Sequence, residues 1–144
     1  IDSSRLIFGD RLTGSDYWAR YQVVDLFLDT FPCNGGATLS DALRMGCPML
    51  TCMGDSFGGR MGASLLTALD MPELITTTQA QYEEMAVDFA ANPKRLKALR
   101  EKLKSNVHTT PLYDTEQFTH SLEAAYLVMY DRCQSKEDLD DIYV

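Results

Sequence analysis

A strand–glycine–helix junction is the feature of this sequence that most limits its fold. The apolar run VVDLFLDT at residues 23–30 is rich in β-branched and aromatic side chains, which is typical of a parallel strand covered on both faces. CNGGATLSDAL follows at residues 33–43, so two adjacent glycines stand where the strand ends and a helix begins. Because glycine loses more conformational freedom on folding than any other residue, the turn geometry or a close approach to the backbone must require it there.

The same order of strand, loop and helix repeats further along the chain. CPMLTCM at residues 47–53 predicts the next strand, and Pro48 at its start is tolerated because a missing N–H matters least there. GDSFGGRMGAS at residues 54–64 is a second glycine-rich segment, which leads into a helix near residues 60–69. Right-handed βαβ units of this kind build a parallel sheet with helices on both faces. The predicted strands lie near residues 5–8, 23–29, 48–53 and 74–76.

The second half of the sequence predicts amphipathic helices rather than strands. One helix is predicted at residues 79–92 and another at 93–106, where Pro93 occupies a first-turn position. A third covers residues 114–133, with Asp114 as its N-cap. This half therefore gives the α/β unit a helical carboxyl-terminal end.

The remaining segments are short, and they define the predicted boundaries. SDYWARYQ at residues 15–22 predicts a short helix with Ser15 as its N-cap. Without internal repeats or a low-complexity linker, we expect one domain at residues 1–132. The segment at 133–144 is acidic and sparse in apolar residues, and we expect it to be a frayed tail.

Composition limits the classes of partner. The chain has 144 residues, is 45% hydrophobic and carries a formal net charge of -8. This charge argues against nucleic acid or an anionic membrane as the main partner, although local dipoles can still hold a small anion. No apolar run is long enough for a membrane span, and no signal peptide is visible. Because the chain begins with Ile1 rather than Met, we expect it to be a fragment.

The four cysteines show no spacing that indicates a metal site. They are Cys33, Cys47, Cys52 and Cys133, without a CxxC pair and without a nearby histidine. Buried, reduced thiols are therefore expected, which fits a cytoplasmic protein, and no zinc or other metal site is expected.

The glycine turn has the features of a phosphate site. The N–H groups of the first helical turn lack partners, and the helix dipole adds about half a positive charge there. Ligands of open α/β sheets gather at the carboxyl ends of strands, which is where residues 34–38 fall. Thr38 could donate its hydroxyl, and Asp41 could accept hydrogen bonds from vicinal sugar hydroxyls.

A purely structural interpretation of both glycine segments stays open at this point. The spacing matches neither G-x-G-x-x-G nor the Walker pattern, and a tight turn with Thr38 as N-cap and Asp41 beside the helix dipole explains the first segment equally. In the second segment, Arg60 could pair with an anion or with Asp55.

No standard nucleophile or general base is visible. The two histidines, His108 and His120, lie in the helical half, away from any serine or cysteine in a recognisable nucleophile context. We expect both to be surface or packing residues.

The sequence resembles a known enzyme family over nearly its whole length. The stretch at residues 25–75, with the motifs LDTFPCNGG, DALRMGCP and RMGASLL, is similar to the carboxyl-terminal catalytic half of the O-linked N-acetylglucosamine transferase family, which includes the SPINDLY proteins. It looks most like bacterial members. The resemblance extends from Arg5 to Arg132.

The resemblance implies a GT-B glycosyltransferase, in which two Rossmann-like lobes face a cleft. This chain would be the carboxyl-terminal lobe, which binds the nucleotide sugar, truncated at its amino-terminal side. Such an enzyme transfers N-acetylglucosamine or a related sugar from UDP to Ser or Thr of proteins, with inversion. The family implies no cofactor, a protein acceptor, and tetratricopeptide repeats before the catalytic region.

Four positions of the glycine turn match the diphosphate and ribose contacts of the family. Gly36, Ala37 and Thr38 would supply backbone N–H groups to the diphosphate, and the Thr38 hydroxyl would be a further donor. Asp41 would accept hydrogen bonds from the ribose hydroxyls. Catalytic residues are expected upstream of this chain.

Two positions match the base contacts, and three positions depart from animal members. Leu12 matches a backbone position that reads the uracil edge, and Tyr17 a ring that lies against the base. Animal members carry His at the position of Gly36, Thr at Ala37 and Lys at Gly14, so one hydroxyl contact to the diphosphate is absent here.

Two other functions stay open from sequence alone. The chain could be a Rossmann-like nucleotide-binding or interaction module without transfer chemistry, or its donor could be GDP-fucose or UDP-glucose. Because part of the sheet would be absent, self-association of the chain is also expected.

Overall fold

The strand β2 (Met49–Cys52) is the centre of the sheet and is buried along its whole length. In this computed structural model, which describes residues 2–135 and 140–144, β1 (Phe27–Leu28) pairs with it on one side and β3 (Ile75–Thr76) on the other. Both pairings are parallel, with Phe27 opposite Met49 and Thr51 opposite Ile75. The predicted parallel α/β fold is therefore confirmed.

The helices follow the strands in the expected order. The described residues contain α1 (Gly14–Ala19), α2 (Ala37–Arg44), α3 (Met61–Ala68), α4 (Gln79–Ala91), α5 (Pro93–Thr109) and α6 (Thr115–Ser135). Helix α2 connects β1 to β2, and α3 connects β2 to β3, so each forms the crossover of a parallel βαβ unit. Helix α4 contacts both β2 and β3.

Local sequence signals set several helix ends. Pro93 begins α5, as predicted from its position. The Asp114 carboxylate accepts a hydrogen bond from the Gln117 N–H at 2.9 Å, which confirms the predicted N-cap of α6. Gly46 follows α2 with a φ of 75°, the left-handed conformation that glycine adopts without steric cost.

The hydrophobic core joins the central strand to four helices and to the segment after α3. Its fully or nearly fully buried members are Leu39, Leu43, Met49, Leu50, Leu66, Leu69, Met71, Leu74, Phe89 and Leu103. This core fixes the carboxyl ends of β1 and β2 relative to the start of α2.

The predicted first strand at residues 5–8 is wrong. Ser3–Arg5 form a short 3-10 helix, and the following Ile7 and Phe8 are each 91% exposed. An apolar run becomes a strand only where a neighbouring strand pairs with it, and none of the described strands pairs with this segment.

Two further predictions need correction at the amino-terminal side. Ser15 is not the N-cap of the first helix: α1 begins at Gly14, with Thr13 in the cap position. The predicted strand at residues 23–29 forms a strand only over Phe27–Leu28, although the Asp29 N–H still donates to the Leu50 carbonyl of β2 at 3.0 Å.

The carboxyl-terminal helix stands apart from the core. None of the side chains of α6 is buried, although the helix carries large apolar and aromatic residues. Because α6 runs to Ser135, the first residues of the predicted tail, 133–135, are helical, and residues 136–139 of that tail lie outside the described part of the chain. Among the described helices, none is long and apolar enough to cross a membrane.

The cysteines are unpaired, but they are not uniformly buried. Cys47 and Cys52 are buried, as expected, whereas Cys33 and Cys133 are exposed. Burial raises the pKa of the Cys47 thiol above its ordinary value. The prediction of buried thiols is therefore wrong for the two exposed residues, which lie in a loop and on the unburied helix α6.

Candidate functional site

The two adjacent glycines after β1 have different surroundings. A Cβ on Gly35 would lie 3.0 Å from the Leu39 Cγ and 3.1 Å from the Thr38 Oγ1, so packing of the turn against α2 excludes a side chain there. A Cβ on Gly36 would meet no atom within 4 Å. The backbone at Gly36 is thus open to a molecule from outside.

The start of α2 presents unpaired backbone donors beside this opening. The first hydrogen bonds of the helix run from the Leu39 and Ser40 N–H groups to the Gly36 carbonyl, at 3.0 and 3.4 Å. Within the described chain, no acceptor is recorded for the N–H groups of Gly36, Ala37 and Thr38, as expected for a helix start without a side-chain cap. Three donors at the positive end of a helix dipole favour an anion.

Asp41 and Tyr17, which are far apart in sequence, meet directly. The Tyr17 hydroxyl donates a hydrogen bond to Asp41 Oδ2 at 2.7 Å and accepts one from the Tyr21 hydroxyl at 3.1 Å. These two hydrogen bonds raise the pKa of the Tyr17 phenol, the contact with Tyr21 contributing most. One carboxylate oxygen of Asp41 is therefore held by α1, and Oδ1 accepts no recorded hydrogen bond from the described residues.

Arg20 covers one face of the Tyr17 ring. Its guanidinium carbon lies 4.2 Å from the Tyr17 ring centroid and 5.0 Å from that of Tyr21, and its Nη2 donates to the Tyr21 hydroxyl at 3.2 Å. Such stacking of a cation on an aromatic face is favourable. A base that lies against Tyr17 would therefore use the other face. The sequence predicted neither Arg20 nor Tyr21, and only their helical spacing from Tyr17 could have indicated them.

Leu12 lies in the irregular segment before α1 and is 39% exposed. No hydrogen bond among the described residues joins it to the glycine turn or to Asp41. The structure thus brings together Tyr17, Asp41 and the start of α2, and its recorded contacts leave Leu12 outside this group.

The second glycine segment packs against the first. The Asn34 N–H donates to the Gly58 carbonyl at 2.9 Å. A Cβ on Gly59 would lie 2.9 Å from the Pro32 carbonyl oxygen, so a side chain there would separate the two loops. Arg60 donates to the backbone carbonyl of Asp55 rather than to its carboxylate. The structural interpretation of this segment is thus supported, because its glycines allow close packing of one loop on another.

A buried carboxylate connects β1 to the glycine turn. Asp29 is 3% exposed, and its Oδ1 accepts hydrogen bonds from the N–H groups of Thr30 at 2.8 Å and Gly35 at 2.9 Å. Its Oδ2 accepts a hydrogen bond from the Thr51 hydroxyl at 2.7 Å. The Tyr82 hydroxyl of α4 donates to the Asp29 carbonyl at 2.8 Å. From the sequence, Asp29 was predicted only as a strand residue.

A cavity lies elsewhere, on the open side of β1. It has a volume of about 880 Å³ and is lined by β1 and by helices α4 and α5, with Leu28, Phe89 and Leu96 among its apolar residues. Its lining does not include the glycine turn. Among the described residues, no cluster of His, Cys, Asp and Glu could hold a metal ion, and His108 and His120 are both exposed.

A parallel sheet whose first described strand leads through an open glycine turn into a helix places the chain among the open α/β proteins, a class in which ligands bind at the carboxyl ends of the strands. Comparison with known proteins is more specific. The model of glycosyl transferase family 41 matches residues 1–122. This chain therefore belongs to glycosyl transferase family 41, and the resemblance to O-linked N-acetylglucosamine transferases and SPINDLY proteins is confirmed.

Individual relatives agree with the family. A SPINDLY protein of Hordeum vulgare is 36% identical over 117 residues, which is 81% of this chain and 12% of that protein. A UDP-N-acetylglucosamine–peptide N-acetylglucosaminyltransferase of Caenorhabditis elegans is 32% identical over 142 residues, which is 99% of this chain and 12% of that protein. The chain thus spans about an eighth of the length of these relatives.

A solved structure has the same fold. A mutant of the O-GlcNAc transferase of Thermobaculum terrenum matches with a TM-score of 0.78 and 35% sequence identity, covering 87% of this chain and 24% of that one. At this identity, the similarity supports a common family as well as a common fold.

Proposed function

We propose that this chain is the donor-binding part of a protein O-glycosyltransferase that uses UDP-N-acetylglucosamine or a related UDP-sugar. One observation carries the proposal. At the start of α2, three N–H groups without a recorded acceptor among the described residues lie beside Gly36, where no described protein atom occupies the space that a Cβ would take. A diphosphate fits this chemistry because it presents several anionic acceptors to a helix start.

The rest of the nucleotide has matching groups nearby. Asp41 offers its free Oδ1 to vicinal ribose hydroxyls, while Tyr17 holds Oδ2 in place. The face of the Tyr17 ring opposite Arg20 would receive the uracil ring, and the backbone at Leu12 would read the edge of that base. The relative of Caenorhabditis elegans is named for UDP-N-acetylglucosamine and a peptide acceptor, which supports the choice of donor and a protein acceptor here.

The test is calorimetric titration of the 144-residue chain with UDP, uridine and GDP. We expect UDP to bind at least tenfold more tightly than uridine, because uridine lacks the groups that the N–H donors would hold. Amide resonances of Gly36, Ala37 and Thr38 should shift with UDP but not with uridine. Equal affinities for UDP and uridine would contradict the proposal. Tighter binding of GDP than of UDP would indicate a guanine-nucleotide donor instead.

Two further parts of the proposal concern the surroundings of the protein. We propose self-association through the open side of β1, because Leu28 is 52% exposed at a cavity lined by both apolar and charged residues and an unpaired strand edge promotes pairing with another chain. We also propose a cytoplasmic location, which is supported by four cysteines that form no disulfide. The proposal includes no cofactor.

A further inference from the structure

The segment between β1 and α2 is held by one buried side chain. Asp29 receives three hydrogen bonds through its carboxylate, and two of the donors are backbone N–H groups of the turn itself. None of the ion pairs among the described residues includes Asp29. Neutral donors alone therefore satisfy a carboxylate that is 3% exposed, and burying such a group would be costly without them.

The hydrogen bond from Gly35 decides which donors remain available. Because the Gly35 N–H points inward to Asp29 Oδ1, the orientation of the peptide group before Gly35 is fixed. The next three N–H groups, from Gly36 to Thr38, have no recorded protein acceptor. The Gly35 N–H of the turn is thus bonded to the Asp29 carboxylate, whereas the N–H groups of the next three residues are open to a ligand.

Neighbouring residues fix the position of Asp29 in turn. Its Oδ2 is held by the Thr51 hydroxyl of β2, and a Cβ on Gly62 would lie 2.5 Å from that hydroxyl oxygen and 2.7 Å from Asp29 Oδ2. The Gly62 N–H donates to the side chain of Asn34 at 3.2 Å. The start of α3 therefore packs directly on the carboxylate and leaves it no room to move.

We infer that Asp29 is a positioning residue for the diphosphate of the donor. It does not touch the ligand, but it acts through Gly35 to present the N–H groups of Gly36, Ala37 and Thr38. This inference rests on the proposed function and adds to it a residue to which neither the sequence nor the family comparison assigned a role.

The experiment compares UDP with uridine in a matched pair of variants of the full chain. Asp29→Ala removes all three acceptor contacts, whereas Asp29→Asn keeps an oxygen for Gly35 and an amide group that can bond the Thr51 hydroxyl. We expect Asp29→Ala to weaken the binding of UDP by about tenfold or more and to leave the affinity for uridine unchanged. Asp29→Asn should bind both ligands with affinities close to those of wild type. If Asp29 only stabilises the fold, Asp29→Ala should lower the affinities for UDP and for uridine by the same factor, set by the fraction of unfolded protein.

A second pair covers the case in which Asp29→Ala does not fold. Thr51→Val removes the donor to Asp29 Oδ2, while Thr51→Ser keeps it, and only the first should lower the ratio of UDP to uridine affinity. If wild type prefers UDP but Asp29→Ala, or Thr51→Val in its place, keeps that preference, the positioning role is wrong and the proposed function stands. If wild type does not prefer UDP, both are wrong.

Discussion

Asp41 uses its two oxygens differently, and this difference is the basis of a prediction. Tyr17 donates to Oδ2, whereas Oδ1 accepts no recorded hydrogen bond from the described residues and is available to a sugar hydroxyl. Because hydrogen bonds to a charged acceptor contribute about 1.5–3 kcal/mol, Asp41→Ala should weaken UDP binding by roughly ten- to a hundredfold. Calorimetry with UDP and 2′-deoxy-UDP measures this change, and wild type should discriminate between the two nucleotides.

Tyr17→Phe is the matched control for that measurement, because it removes the donor to Asp41 but keeps the carboxylate. If Asp41 only complements the helix dipole, its removal costs about 0.3–1 kcal/mol of stability and leaves UDP affinity unchanged. That outcome would show that Asp41 does not contact the nucleotide.

Gly35 and Gly36 should respond differently to the same substitution. A methyl group on Gly35 would meet Leu39 and Thr38 at 3.0–3.1 Å, and overpacking of this kind costs about 1–3 kcal/mol. Gly36→Ala meets no protein atom within 4 Å, so its effect on the free energy of unfolding should be clearly smaller. Urea denaturation of both variants tests the difference, and equal losses would contradict the packing argument.

Tyr82 gives a pH dependence with a definite sign. Burial, followed by the nearby Asp29 and Cys52, raises the pKa of its phenol from 10.0 to about 12. The neutral phenol is thus favoured in the folded state, so its contribution is complete below pH 10 and is lost as the pH rises from about 10 towards 12. We expect the free energy of unfolding of wild type to fall over this range.

Tyr82→Phe separates this contribution from the other tyrosines. At neutral pH it should cost about 0.5–1.5 kcal/mol, because the hydrogen bond to the Asp29 carbonyl is lost. Above pH 10 the difference between variant and wild type should shrink, as measured by urea denaturation at several pH values. A constant difference would show that the Tyr82 phenol does not titrate in this range.

At the scale of elements, the features that nearby residues determine could be predicted from the sequence, whereas the features that depend on tertiary contacts could not. The sequence predicted α5 from Pro93 and α6 from Asp114, because a cap acts on the helix that it begins. It predicted the turn after β1 from its glycines. It failed at residues 5–8, where strand formation depends on a neighbouring strand. It also missed Asp29, because the Thr51 hydroxyl that holds its Oδ2 comes from the neighbouring strand β2.

We predict that copies of the chain associate through the open side of β1. Leu28 lines the cavity there and is 52% exposed, so Leu28→Lys should shift the chain towards monomer by adding a charge to an exposed strand edge. Sedimentation velocity over a range of concentrations measures the effect. Val23→Lys, at a residue that is 84% exposed before β1, is the control, and monomeric wild type at all concentrations would contradict the proposal.

At the scale of the whole molecule, we expect donor binding without transfer. Gly36, Ala37 and Thr38 are exposed, whereas transfer requires an acceptor held against the donor and water kept out. The 144-residue chain should therefore bind UDP but attach no sugar to Ser- or Thr-containing peptides in a mass-spectrometric assay with UDP-N-acetylglucosamine. The Thermobaculum terrenum enzyme, in its unmutated form, is the positive control, and measurable transfer by the chain would overturn this prediction.

The packing of the second glycine segment on the first limits how this family can vary. The Asn34 N–H reaches the Gly58 carbonyl, and Gly59 leaves no space for a side chain against Pro32. An insertion or deletion in either loop would break the pairing of both, so the two loops must keep their lengths together during evolution. Natural homologues that acquire a side chain at the position of Gly59 should also carry a compensating change near Pro32.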